Sequence, residues 1–306
     1  VSCGGKHALY NLFQATLDPG DEVVIPVPSW VSYPDMVALS GGKPVFVPCS
    51  EANGFKLQAE QLDQAITQNT RLLILNSPSN PSGVHYCRAE LESLEKVLLR
   101  HKHVNIVSDD IYYRILFTGH EWISLPMLNP ELRERTFIIN GVSKTYCMTG
   151  WRIGYLIGNS KVVKAAADIQ SQCTSNPTTF AQYASIAALR GDQQVARDMV
   201  QVFEQRCRYV VNRLAELPGV TCPTPAGAFY VFPNCSAYYG KKGPSTPINS
   251  SWDLAEYLMK KAHLAVVPGA AFRDDRCVRI SYAVSMEEIE EGFDRLAKAL
   301  QALSQR

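Results

Sequence analysis

The chain has 306 residues, 46% of them hydrophobic and 19% charged, with a formal net charge of +1. That composition belongs to a globular chain long enough for a large core and one or two domains, and its near-neutral balance gives no ground for nucleic acid or a membrane surface as a general partner. No apolar run approaches a membrane span and no secretory signal pattern opens the chain. Nine cysteines without CxxC spacing signal neither a zinc site nor a dithiol motif and suit a reducing cytoplasm.

The chain opens at Val1 on VSCGGKHALYN, without an initiator methionine, which reads as mid-fold with an N-terminal part missing. Short β-branched runs then alternate with amphipathic helical patterns. The runs are EVVIP at 22–26, KPVFVP at 43–48, RLLILN at 71–76, VNIVSD at 104–109, TFIIN at 136–140 and RIGYLIG at 152–158. Between them lie stretches such as Ala89–His101, with apolar Leu91, Leu94, Val97 and Leu98 at helical spacing. This alternation predicts an α/β fold, a mostly parallel sheet covered by helices on both faces. A long helix is predicted at about 193–217, stopped by Pro218-Gly219. Beyond it, AFYVF, LAVVPG and CVRISYA mix with helical patterns at Ser251–Ala262 and Ser285–Leu303, which predicts a smaller C-terminal α+β domain. The expected division is 1–217 for the large domain and 218–306 for the small one. The polar stretch 236–250 reads as a surface loop.

In open α/β sheets ligands bind beyond the carboxyl ends of the strands. The loops there are NSPSNPSG, DDIYY and GVSKTYCMTGWR. From Thr136 to Ser160 the only cations are Lys144 and Arg152, and there is no acid, although the segment looks buried. A lysine amine is a nucleophile when deprotonated; an apolar surround and a neighbouring cation both favour that form, which is how Schiff-base lysines arise. A lone lysine would otherwise snorkel to the surface. Arg152, in a glycine-flanked stretch without acids, calls for an anion, and phosphate fits its fork. Gly4-Gly5-Lys6 precedes a helical pattern, where backbone amides bind phosphate; taken alone it is only a glycine-rich helix start. Asp109 and Asp110 stand at the end of an apolar strand and each needs a partner. An aromatic nitrogen cation would serve; so would a metal or a helix cap, but no acid/His cluster at ligand spacing lies near. Asn80 could be a plain Asn-Pro turn. Trp30 is either core or a flat platform for a planar ligand. Arg279, flanked by apolar residues, points to a bound carboxylate or to an acid distant in sequence. One ligand pair uses the whole set: pyridoxal 5′-phosphate and an amino acid.

With these pieces in order along nearly the whole chain, namely GGKxALxNLFQAxLDPGDEV, PxWVSYP, NSPxNPxG, SDDIY, SKTYxMTGWRIGY, GAFYVF and VRISYA, the sequence resembles class I/II, fold-type I pyridoxal-phosphate aminotransferases, bacterial-type aspartate aminotransferases above all. The resemblance implies a seven-stranded-type sheet and a homodimer. It implies that Lys144 carries the cofactor as a Schiff base and shuttles the proton from Cα. Asp109 would pair with the pyridinium nitrogen, Tyr112 and Asn80 would bond the ring's phenolic oxygen, and Trp30 would stack on the ring. Arg152 with the Gly5 and Lys6 amides would hold the phosphate. Arg279 would clamp the substrate α-carboxylate, with Trp30 and Asn80 beside it, and Lys6 would face a distal carboxylate, favouring aspartate with 2-oxoglutarate as acceptor. Family members often carry serine three residues before the lysine; here that position is Gly141, and Ser143 directly precedes Lys144. Aromatic, prephenate-type or alanine transamination, C–S β-elimination and decarboxylation are reactions of the same scaffold, the last disfavoured by the Arg279 clamp. An aminotransferase-like effector domain of a transcription regulator is a further alternative. A Rossmann-type nucleotide binder is disfavoured, because no GxGxxG follows a strand.

Overall fold

The computed structural model describes residues 1–241 and 247–304. Six strands form the main sheet: β1 (Glu22–Val27), β2 (Lys43–Pro48), β3 (Thr70–Asn76), β4 (Asn105–Asp109), β5 (Thr136–Gly141) and β6 (Gly154–Ile157), in the order β2-β1-β3-β4-β5-β6. All pairings are parallel except β5 with β6. Helices α1 (Gly5–Thr16), α2 (Ser32–Leu39), α3 (Ala59–Ala65), α4 (Arg88–Arg100), α5 (Leu125–Leu128), α6 (Pro130–Glu134), α7 (Ser160–Cys173) and α8 (Thr179–Arg190) surround it. The seven-stranded expectation is corrected to six among the described residues. Ser2 adds only an isolated antiparallel bridge to Gly154, beside β6.

The inner strands β1, β3, β4 and β5 read as continuous apolar runs because both their faces are covered. Val23, Ile25, Leu72 and Ile74 pack on Leu9, Leu12 and Phe13 of α1. Their neighbours in sequence, Val24, Leu73 and Leu75, point the other way, onto Leu91, Leu94 and Leu98 of α4. That alternation is the two-residue period of a strand. With the parallel strands aligned, their carboxyl ends at Val27, Asn76, Asp109 and Gly141 deliver four loops to one rim of the sheet.

Helix α9 (Gln194–Ala215) follows, then β7 (Tyr230–Val231), α10 (Ser251–Ala262), β8 (Val267–Pro268), β9 (Val278–Ser281) and α11 (Met286–Ser304). The second sheet has the order β7-β9-β8, all antiparallel. Its strands are shorter than AFYVF and LAVVPG led us to expect. Proline cannot donate to a ladder. Pro233 interrupts the β7 ladder, which resumes as a single Asn234–Cys277 bridge, and β8 ends at Pro268. The stretch 236–250 is not wholly a surface loop: Tyr238 and Ile248 are buried, and the Gly240 amide donates to the Ile248 carbonyl at 2.8 Å. Residues 242–246 of that stretch lie outside the described residues. Among the described residues no helix is long and apolar enough to cross a membrane.

Candidate active site

A cavity of about 310 Å3 opens at the carboxyl rim of the large sheet. Gly5, Lys6, Trp30, Asn80, Asp109, Tyr112, Lys144, Arg152 and Arg279, which come from six separate stretches of sequence, all line it. Ser143 lines it as well.

Lys144 sits in the loop after β5, half-buried, with Nζ 5.7 Å from the centre of the Phe229 ring. Its pKa is lowered first by burial, then by the charge of Arg279, then by that of Arg152. The sequence pointed to Arg152 as the neighbouring cation; Arg279, 135 positions later in the numbering, acts more strongly. Among the described residues none of the three cations forms an ion pair with an acid.

The segment around them is less buried than its composition led us to expect. Residues 136–143 are almost wholly buried, but Cys147 and residues 149–152 are exposed, Arg152 among them. Arg152 Nη1 donates to the Thr149 carbonyl at 2.7 Å and Nη2 to the Cys3 carbonyl at 3.4 Å. This folds the guanidinium against the N-terminus of α1. Gly4 caps that helix at φ 86°, and a Cβ there would stand 2.3 Å from Arg152 Nη2, so only glycine allows the approach. The first-turn amides of a helix have no intrahelical acceptor, and the first turn of α1 holds no acid. Helix end and guanidinium together make an anion cradle. Gly141 has its own explanation: a Cβ would meet the Ile153 carbonyl at 2.7 Å, so this chain has no room for serine there.

Asp109 and Asp110 are both buried. Tyr33 donates from its hydroxyl to Asp109 Oδ2 at 2.6 Å, and the Ile111 amide reaches Oδ1 at 3.3 Å. Asn76 Nδ2 donates to the Asp109 carbonyl at 2.8 Å, and Asn76 Oδ1 accepts from the Asn80 amide at 2.9 Å. Burial pushes the Asp109 carboxyl up to about 6 against these bonds. It lines the cavity, and among the described residues no cation is bonded to it, so a cationic ring nitrogen would be a fitting partner.

Asp110 points to the far side of the sheet. Ser108 Oγ donates to its Oδ1 at 2.8 Å, and among the described residues its Oδ2 has no hydrogen-bond partner. Burial first, then Asp109, push its pKa up to about 7 from 3.8. A raised folded-state value means that the protonated form adds stability present in full below pH 3.8 and lost as pH climbs through about 7. We therefore expect Asp110→Asn to flatten the fall of melting temperature between pH 5 and 8, melting above the parent at pH 8. An unchanged slope in a calorimetric pH series would contradict this.

Arg279, on β9, is half-buried between two rings: its Cζ lies 4.6 Å from the centre of Tyr230 and 4.9 Å from that of Phe272. Nη1 donates to Asn80 Oδ1 at 2.9 Å, and Nε is buried without a hydrogen-bond partner among the described residues. Asn80 is thus more than a turn residue: it orients the arginine. Trp30 stands edge-on to Tyr33, and Lys6 Nζ lies 5.0 Å from the centre of its ring. Tyr33, Asn76 and Tyr230 were missed in the sequence. Tyr33 follows Trp30 by three positions, a helical spacing that could have placed both at one site; Tyr230 in GAFYVF offered no such signal.

The family model for aminotransferase class I and II matches residues 1–296. The chain is 49% identical over 305 residues to the "Probable aspartate/prephenate aminotransferase" of Rickettsia felis, covering 99% of this chain and 75% of the relative. It is 47% identical to the aspartate aminotransferase of Geobacillus stearothermophilus, covering 99% and 76%. Among solved structures it superposes on the aspartate aminotransferase from Rhizobium meliloti with a TM-score of 0.95 at 46% identity, covering 99% and 76%. It also superposes on the aromatic aminotransferase from Pyrococcus horikoshii with a TM-score of 0.92 at 34% identity, covering 100% and 80%. The chain belongs to the class I and II aminotransferases, enzymes that depend on pyridoxal phosphate.

Proposed function

We propose that this chain moves the amino group of aspartate to 2-oxoglutarate at the cavity around Lys144. The observation that carries the reading is the convergence of a depressed lysine, an unpaired buried carboxylate, an anion cradle and a ring-sandwiched arginine in one cavity. The residues fit the cofactor. Arg152 and the first-turn amides of Gly5 and Lys6 would hold its phosphate, Asp109 its ring nitrogen, Tyr112 and Asn80 its phenolic oxygen, with Trp30 on the ring face. When bound, pyridoxal phosphate supplies a sink for the electrons left at the substrate Cα. Arg279 holds the α-carboxylate through Nη2 and the partnerless Nε, turning Cα toward Lys144. Lys144 Nζ, whose pKa is lowered by burial, Arg279 and Arg152, takes the proton from Cα and returns it. Lys6, on the first turn of α1, meets the distal carboxylate. The names of the relatives support aspartate, and the Rickettsia name adds prephenate as a second acceptor to try. We also propose the division into a large domain, 1–217, and a small domain, 218–306.

A homodimer belongs to the same reading. Phe180 (69% exposed), Tyr183 (71%), Ile186 and Leu189 make an apolar stripe along α8, and Trp151 packs edge-on against Phe180. An unpartnered stripe of this kind fits a second copy of the chain. Sedimentation of a monomer at micromolar concentration would remove this part. Nine free thiols suit a reducing cytoplasm.

The test is the visible spectrum of the chain with pyridoxal phosphate. A protein-bound band that disappears with L-aspartate and returns with 2-oxoglutarate is expected. A bound band indifferent to aspartate would reject the substrate, and no bound band at all would reject the site.

A further inference from the structure

Tyr230 touches both Arg279 and Tyr112, which line the cavity. It belongs to β7, and its register partner on β9 is Ser281, two residues after Arg279. Its ring carries the Arg279 guanidinium at 4.6 Å. Its hydroxyl lies 3.1 Å from that of Tyr112, which comes from the turn after β4 in the other sheet. The side chain is buried and lines the cavity, and Phe229 beside it packs edge-on against the Tyr112 ring at 5.6 Å. The two hydroxyls share one hydrogen bond, so one of the two protons is left over. If Tyr112 is to donate into the cavity, Tyr230 must be the donor between them. A phenol that accepts a hydrogen bond is in turn the stronger donor, since bonds in a chain polarise one another.

We propose that Tyr230 is a positioning residue with two separable parts: its hydroxyl fixes the direction of the Tyr112 proton, and its ring holds the carboxylate-binding face of Arg279. The inference rests on the proposed placement of the cofactor beside Tyr112. The ring is a platform for a planar cation, in the geometry of a cation–π contact. The hydroxyl tunes the group that Tyr112 contacts without touching that group itself. Phenylalanine removes the hydroxyl's part only, and leucine removes both.

The experiment compares Tyr230→Phe, Tyr230→Leu and Tyr112→Phe in the full chain loaded with pyridoxal phosphate. Two quantities are read: the midpoint of the pH titration of the bound cofactor's visible absorption, and the dissociation constant of maleate, a dicarboxylate that cannot transaminate. Melting temperature is the control for folding. Tyr230→Phe should move the titration midpoint in the same direction as Tyr112→Phe and by less, leaving maleate affinity within about twofold. Tyr230→Leu should move the midpoint too and weaken maleate about tenfold. A midpoint that moves in Tyr112→Phe but stays in Tyr230→Phe overturns the hydroxyl's part. Equal maleate affinity in the leucine and phenylalanine variants overturns the ring's part. A midpoint unmoved by Tyr112→Phe overturns the cofactor placement, and this inference with it.

Discussion

Lys144→Ala is expected to lower turnover on the order of 10^4-fold or more while the chain folds and retains pyridoxal phosphate. The size follows from the loss of the proton-transferring group, for which positioned acids and bases contribute about 10^2- to 10^4-fold, together with loss of the covalent anchor. Cofactor is retained because the cradle of α1 and Arg152, and the carboxylate of Asp109, do not involve the lysine amine. Stability should not suffer. The lysine's pKa is lowered in the fold, so its charged form carries a penalty below the folded value that vanishes only above 10.5. Alanine removes that penalty, and the variant should melt at or above the parent temperature at neutral pH. Single-turnover absorbance with L-aspartate reads the chemistry, and a small added amine should restore part of it. Near-native turnover without added amine would show that Lys144 is not the base.

Arg279→Ala should raise the dissociation constant for amino acids and for maleate by about 10^2- to 10^3-fold. Truncating one partner of a buried, hydrogen-bonded charge pair costs about 2–5 kcal/mol, at 1.4 kcal/mol per tenfold. Cofactor affinity should hold, because the contacts of Arg279 are Asn80, Tyr230 and Phe272 rather than the anion cradle. The same variant should raise the pKa of Lys144, since Arg279 is the leading charge that lowers it. Equilibrium titration with maleate and gel filtration of the loaded enzyme separate the two affinities. Loss of cofactor with unchanged maleate binding would contradict the assignment.

The two arginines show how far the sequence could be read. Both stood out as cations without neighbouring acids, which is a statement about composition over a dozen residues. That one is exposed at a helix end and the other clamped between aromatic rings is a statement about packing, and only the fold made it. Gly141 is similar. In the sequence it was a departure from serine; in the structure the Ile153 carbonyl leaves no space for a Cβ.

Local rules were sufficient for most of the elements. Apolar pattern gave β2 at Lys43–Pro48 and α10 at Ser251–Ala262 to the residue, because a short β-branched run and a helix with one apolar face have different patterns. The cations and acids that the proposed site uses stood out for the same reason: charges without local partners are costly and must be answered somewhere. The partners themselves were decided by the tertiary structure. Tyr33 reaches Asp109 across 76 positions, Asn80 reaches Arg279 across 199, and Tyr112 reaches Tyr230 across 118. Hydrogen bonds and ring contacts act over a few ångströms, and chain separation carries no trace of them until the parallel strands bring their carboxyl ends to one rim. The number of strands in the sheet, the length of β7 and the burial of Tyr238 and Ile248 belong to that second group, since each depends on what a segment meets and not on what it contains.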